Sequence, residues 1–209
     1  MNLGCMLYNY MVASIIRERI SSADNGTLFF NNSFPEYDDE YVGKILSDLV
    51  KSGDLYHLSR GVYLKTEPTR FGLVYPPVSA IASAIAERDK AQILPTGATA
   101  LNLLGLSTQM PMNPVFLTSG SARKIIIDGR TITFKRAVPK NFAIKGRKRS
   151  LIVQALKYIG ENNITEEDWL NISNLIRHDK DVDNLSEDLQ MMPSWIRKFF
   201  LNALKTQTR

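Results

Sequence analysis

Apolar positions along residues 26–65 recur first with a helical period and then with a period of two, and this change of period organises the start of the chain. Val42, Ile45, Leu46 and Leu49 fall at i, i+3, i+4 and i+7, with Lys44, Ser47, Asp48 and Lys51 on the opposite side. Asp38 offers a carboxylate to the orphan amides of a first turn, Asp39 and Glu40 suit the positive end of a helix dipole, and Gly53 closes the run. The spacing therefore predicts a helix that begins after Asp38 and stops at Gly53. Beyond it, Leu55 and His57, then Val62 and Leu64, alternate about Ser59-Arg60-Gly61, which predicts a β-hairpin with Gly61 free to take positive φ. Ahead of it, Thr27 to Phe30 reads as a short strand. Met6 to Ile20 reads as a helix, with Leu7, Met11, Ile15 and Ile16 at helical spacing and Arg17 and Arg19 near its end.

Helix, short strand, helix and hairpin in that order predict a winged helix over residues 1–66. In that architecture the second helix enters the major groove and the hairpin tip reaches phosphate. Lys44, Ser47 and Lys51 on the helix and Arg60 at the tip are accordingly candidate DNA-binding residues. The competing reading is an ordinary α/β module whose hairpin only covers a core.

Glu67 to Pro77 holds three prolines and one glycine without a helical period, the pattern of a linker. Val78 to Ala86 then reads as an Ala-rich helix and Gln92 to Leu94 as a brief strand. Pro95 to Gly105 opens another helix, with Thr96 or Thr99 as its cap. It lacks the lysine and glycine spacing of a P-loop, so capping is preferred to phosphate binding there. Val115 to Thr118 is a strand. Arg123 to Arg136 is a hairpin about Asp128-Gly129, a type I′ turn signal. That turn puts Ile125, Ile127, Ile132 and Phe134 on the core face and Lys124, Thr131, Thr133 and Lys135 on the other. The remainder is helical: Leu151 to Glu161, a capping box at Thr165–Asp168 with Trp169, Ile172 and Ile176 inward, and a terminal helix after Pro193. Trp195, Ile196, Phe199, Phe200, Ala203 and Leu204 form its apolar face, either core or a partner surface. The expected fold class is α+β: a winged-helix DNA-binding domain at 1–66, a linker at 67–77, and an α+β domain at 78–209 with a basic β-hairpin and a helical C-terminal end.

Charge sharpens this picture. The net +5 is carried by residues 76–150, with 12 basic and 3 acidic side chains, whereas 1–75 and 151–209 each hold 7 basic and 9 acidic. Such a field favours an anionic partner. Arg136, Lys140, Lys145, Arg147, Lys148 and Arg149 continue the charge of the hairpin toward the next helix, where cations oppose the macrodipole and invite an anion. The other reading of that cluster is a solvated loop. Lys124, Lys135, Arg136, Arg147, Lys148 and Arg149 join the candidate DNA contacts.

Other chemistry is sparse. Cys5 is the one cysteine, which excludes an internal disulfide, fits a reducing compartment and reads as a small half-buried apolar residue. No apolar run reaches membrane-spanning length and the N-terminus lacks a signal-peptide pattern, so a cytoplasmic protein without membrane partners is expected. His57 and His178, the two histidines, stand without a Ser/His/Asp order, a metal-ligand cluster or a nucleotide loop. Glu166, Glu167 and Asp168 already have a reason to sit in a helix's first turn. No enzymatic activity, metal or cofactor is expected.

Three segments in order carry a family resemblance: the winged-helix pattern ending in LSRGVY at 58–63, PTGATALNLLGL at 95–106, and VFLT at 115–118 before the basic hairpin. Over residues 6 to about 137 the chain resembles the AbiEi-type antitoxins of type IV toxin-antitoxin systems. The resemblance implies a transcriptional autorepressor, with a role in phage defence, that binds double-stranded DNA at operator repeats of its own promoter. It also implies self-association of copies on that DNA and a nucleotidyltransferase toxin as the protein it counters. The helix expected in the groove departs from the more basic helix common in that family, since Asp39, Glu40 and Asp48 offset Lys44 and Lys51. The alternative is a winged-helix module that binds a partner protein and no DNA.

Overall fold

The computed structural model describes residues 3–127, 129–181 and 183–205, with side chains from Leu7 onward. Its first elements are α1 (Leu3–Ser22), β1 (Leu28–Phe29), a 3-10 turn at Asn31–Ser33, α2 (Asp39–Ser52), β2 (Tyr56–Ser59) and β3 (Val62–Leu64). Both ends of α2 lie where the sequence puts them. Asp38 Oδ1 accepts the Tyr41 amide at 2.9 Å, and Gly53 stops the helix at φ 86° with its amide donating to Val50 O at 3.2 Å. Val42, Ile45, Leu46 and Leu49 are buried against Ile16, Ile20, Phe29 and Phe34. The three strands form an antiparallel sheet in the order β1-β3-β2, with Leu28 opposite Leu64 and His57 opposite Tyr63. Gly61 turns the β2–β3 hairpin at φ 69°, a conformation costly for any residue with a Cβ. This is the winged-helix order of elements.

Two details differ from the expectation. In α1 the buried stripe is Val12, Ile16 and Ile20, while Leu7 and Met11 are exposed. Both sets have helical spacing, and packing on α2 and Phe29 selects the first. The expected linker, in turn, is structured. It carries β4 (Pro68–Thr69) and β5 (Gly72–Leu73), closed by the Thr69 hydroxyl donating to Gly72 O at 2.8 Å, and Thr66 Oγ1 donates to Val74 O at 3.1 Å. Then α3 (Val78–Arg88) buries Ile81, Ala82, Ile85 and Ala86. The chain divides into a unit of Met1–Asp89 with Ile126–Gly129 and a unit of Lys90–Ile125 with Arg130–Arg209, not at residues 67–77. The prolines misled because Pro68 starts a strand and Pro77 precedes a first helical turn, positions where a missing N–H costs little.

A four-stranded sheet follows, of β6 (Ile93–Thr96), β7 (Val115–Thr118), β8 (Arg123–Ile127) and β9 (Arg130–Arg136) in the order β6-β7-β9-β8, and all of it but Ile126 and Ile127 belongs to the second unit. β6 and β7 are antiparallel, whereas β7 and β9 run parallel, with Phe116 opposite Phe134 and the two rings 5.9 Å apart. Ile125, Ile127, Ile132 and Phe134 are buried, and Lys124 and Lys135 are exposed on the other face. Gly129 has φ 70°; Asp128, its partner in the expected turn, and the Cys5 side chain lie outside the described residues. Neither threonine caps α4 (Ala98–Leu103). Gly97 holds that position, the Thr96 hydroxyl donates to Gln154 Oε1 at 3.2 Å, and Thr99 Oγ1 accepts the Val115 amide at 3.2 Å.

Four helices follow: α5 (Arg147–Ile159), α6 (Glu166–Arg177), α7 (Leu185–Met191) and α8 (Ser194–Lys205). The Thr165 hydroxyl oxygen accepts the Asp168 amide and Asp168 accepts the Thr165 amide, each at 3.1 Å, the reciprocal capping box read from sequence. Ile152, Leu156, Ile172, Ile196, Phe199 and Phe200 form one cluster, with Trp169 edge-on to Phe199 at 4.4 Å. The apolar face of α8 therefore lies in the core of its own unit. The chain is an α+β protein with a helical C-terminal end.

Candidate nucleic-acid interface

Packing of its apolar stripe turns the other side of α2 to solvent, and Lys44, Ser47 and Lys51 are all exposed there. The two ammoniums are not idle. Lys44 Nζ lies 3.3 Å from Glu40 and Lys51 Nζ lies 2.7 Å from Asp48, and the Lys51 hydrogen bond, then its charge, hold the Asp48 carboxyl below its ordinary range. With Asp39 also present, this face carries three carboxylates and two ammoniums. Exposed pairs of this kind contribute little and exchange readily for another anion. Arg60 stands exposed at the tip of the β2–β3 hairpin beside Gly61, with no carboxylate at ion-pair distance among the described residues. Tyr63, edge-on to His57 at 5.6 Å, packs on the core and anchors the hairpin behind it.

In the second unit Lys124, Lys135 and Arg136 are exposed on β8 and β9, Arg147 is exposed at the start of α5, and Lys148 is half-buried. Arg149 must be removed from the candidate contacts. It is 2% exposed, and its donors are committed inside the protein: Nε to Asp188 Oδ2 at 2.6 Å, Nη2 to Asp183 O at 2.6 Å, and Nη1 to the Asp181 carbonyl and to Asp179 Oδ2 at 3.4 Å. Four of its five N–H groups are spent in this way, its Nη2 lies 3.6 Å from the Asp181 carboxylate, and the side chain is buried too deeply to meet a phosphate.

The anion invited by the α5 N-terminus is likewise internal. Asp188 on α7 is fully buried and accepts the amides of Lys145 at 2.8 Å and Gly146 at 3.0 Å as well as Arg149. It is a carboxylate seated on a helix N-terminus. Burial pushes its pKa up, yet the Lys145 amide, the Arg149 side chain and the Gly146 amide together hold it below the ordinary value. Lys145 Nζ is held by Glu187 at 2.8 Å. Gly146 is required by this arrangement, since a Cβ there would lie 2.4 Å from Arg149 Cζ, and that guanidinium is pinned on every side. Sequence reading missed α7, although the acidic residues Asp179, Asp181, Asp183, Glu187 and Asp188 mirror the basic run at 145–149 and were the available signal.

Among the described residues no group of three or more His, Cys, Asp or Glu side chains is placed to hold a metal ion, and no helix is long and apolar enough to cross a membrane. A family model described as a family of unknown function, DUF6088, matches residues 15–185. No curated protein matches the chain. Among solved structures, the chain is similar to the crystal structure of the RV2827C protein from Mycobacterium tuberculosis. The two are 14% identical, the alignment covers 93% of this chain and 76% of that one, and the TM-score is 0.49.

Proposed function

We propose, for a chain that belongs to the DUF6088 family, that it binds double-stranded DNA through its winged helix and represses its own promoter, in the manner of the AbiEi-type antitoxins it resembles in sequence. The observation that carries this reading is the presentation of α2 and the adjoining hairpin. A helix capped at both ends offers Lys44, Ser47 and Lys51 outward, and the neighbouring hairpin offers the cation Arg60, which has no ion-pair partner among the described residues. The helix supplies base contacts and the hairpin a phosphate contact. Countering a nucleotidyltransferase toxin and self-association on operator repeats follow from the same resemblance, and residence in the cytoplasm is in keeping with the single cysteine. No catalytic step is assigned to the protein. The near balance of charge on α2 favours a second reading, in which this helix and hairpin dock on a partner protein without DNA.

Exposed cations Lys124, Lys135 and Arg136 are expected to add sequence-independent affinity. Log affinity then falls linearly with log salt, by about 0.9 per phosphate neutralised. The triple substitution Lys124→Glu, Lys135→Glu, Arg136→Glu is expected to weaken binding to operator and scrambled duplexes equally and to flatten that slope by about two to three units. An unchanged slope would confine DNA contacts to the first unit. Absence of binding by the wild-type chain at low salt would favour the protein-docking reading.

A further inference from the structure

A cavity of about 210 Å³ in the second unit is used by nothing described so far. It lies between a 3-10 turn at Pro139–Phe142, α5 and the junction of α7 with α8. Its polar lining is Lys140 and Asn141 from the turn and Gln154 and Lys157 from α5, while apolar side chains including Val153 and Met191 make up the rest. Gln154 and Lys157 are three residues apart on one helix and so share a face.

Each polar group leaves a donor available. Gln154 is 3% exposed, and its Oε1 accepts the Thr96 hydroxyl at 3.2 Å, which leaves the NH2 end of the amide to donate. Lys157 Nζ approaches Asn141 Oδ1 at only 3.4 Å, long for a hydrogen bond. Neither Lys140 nor Lys157 has a carboxylate at ion-pair distance among the described residues. Partial burial, and then repulsion from Lys140, lower the pKa of Lys157 from its ordinary value. Two exposed lysines thus line a half-enclosed space beside an amide donor, with no counter-ion among the described residues.

We propose that this cavity binds a small organic carboxylate with a short apolar body. The carboxylate sits between Lys140 and Lys157 and accepts from Gln154, and the hydrocarbon lies on Val153 and Met191. Size and lining decide the class. At roughly 30 Å³ per water, the space equals about seven waters, more than inorganic phosphate fills, and phosphate has no use for the apolar wall. An uncharged alcohol of the same length would leave the repulsion between the two lysines unrelieved. This site is independent of DNA binding.

The test uses the full chain and follows the Met191 methyl and the Lys157 Cε by NMR during titration with butyrate, inorganic phosphate and 1-butanol at constant ionic strength. Butyrate is expected to shift Met191 saturably and to raise the pKa of Lys157. Lys157→Met is expected to weaken butyrate binding roughly tenfold or more. Lys140→Gln, on the turn rather than in the helix, is expected to weaken it too and keeps the test open if the first variant folds poorly. Saturation by phosphate in preference to butyrate, an equal response to 1-butanol, no saturable shift, or affinity unchanged in both lysine variants would each overturn the assignment.

Discussion

Asp188→Asn is expected to destabilise the second unit by about 3–5 kcal/mol, the cost of breaking a buried pair from one side. Asn keeps one acceptor oxygen but places its NH2 against either the Lys145 amide or the Gly146 amide and Arg149 Nε, and it leaves the Arg149 guanidinium buried without its closest counter-charge. Arg149 also holds Asp179, Asp181 and Asp183 to the start of α5, so the loss should spread to these residues and to α7. Chemical unfolding of the two chains measures the difference; a loss under 1 kcal/mol would mean that the carboxylate contributes no more than a surface pair. The pH dependence has a definite sign. Because the folded pKa of Asp188 is lowered, its contribution is present above the unfolded value of about 3.9 and is lost as pH falls through the lower folded value. The wild-type unfolding midpoint should therefore drop more steeply below about pH 4 than that of Asp188→Asn.

The second prediction separates positioning from reading. Arg60→Ala is expected to weaken binding to all DNA sequences alike and to lower the salt slope by about one unit, since a hairpin-tip cation contacts phosphate. Lys44→Ala and Ser47→Ala are expected instead to narrow the gap between operator and scrambled DNA, by about 1–3 kcal/mol where the side chain makes a good base contact. All three residues are exposed and outside the core, so the variants should fold. Titration of each against both duplexes at two salt concentrations checks this. If Arg60→Ala altered specificity while the α2 substitutions altered only overall affinity, the hairpin would be the reading element.

What the sequence made legible was written locally. α2 could be placed to the residue because its cap, its apolar period and its stop, Asp38 to Gly53, lie within sixteen positions of one another. The β8–β9 hairpin could be assigned faces because alternation about one turn fixes them. Other choices are made by distant partners. In α1 two apolar stripes compete, and only the core of α2 and Phe29 decides for Val12, Ile16 and Ile20. Arg147, Lys148 and Arg149 are equivalent in a charge count, yet consecutive helical residues point about 100° apart. Which of them turns inward is settled by Asp188, 39 residues on, carried by a seven-residue helix too short to show a period. Thus the basic run at 145–149, read as an invitation to an external anion, contains both a buried structural arginine and cations that remain open.

The most direct measurement of the central claim is a gel-shift titration of the full chain with the DNA upstream of its own coding sequence against a scrambled duplex of equal length and composition. Specific recognition predicts a preference of about a thousandfold or more at physiological salt, which diminishes in Lys44→Ala and Ser47→Ala and persists in Arg60→Ala. No shift of either duplex at low salt, from a chain shown to be folded, would contradict it.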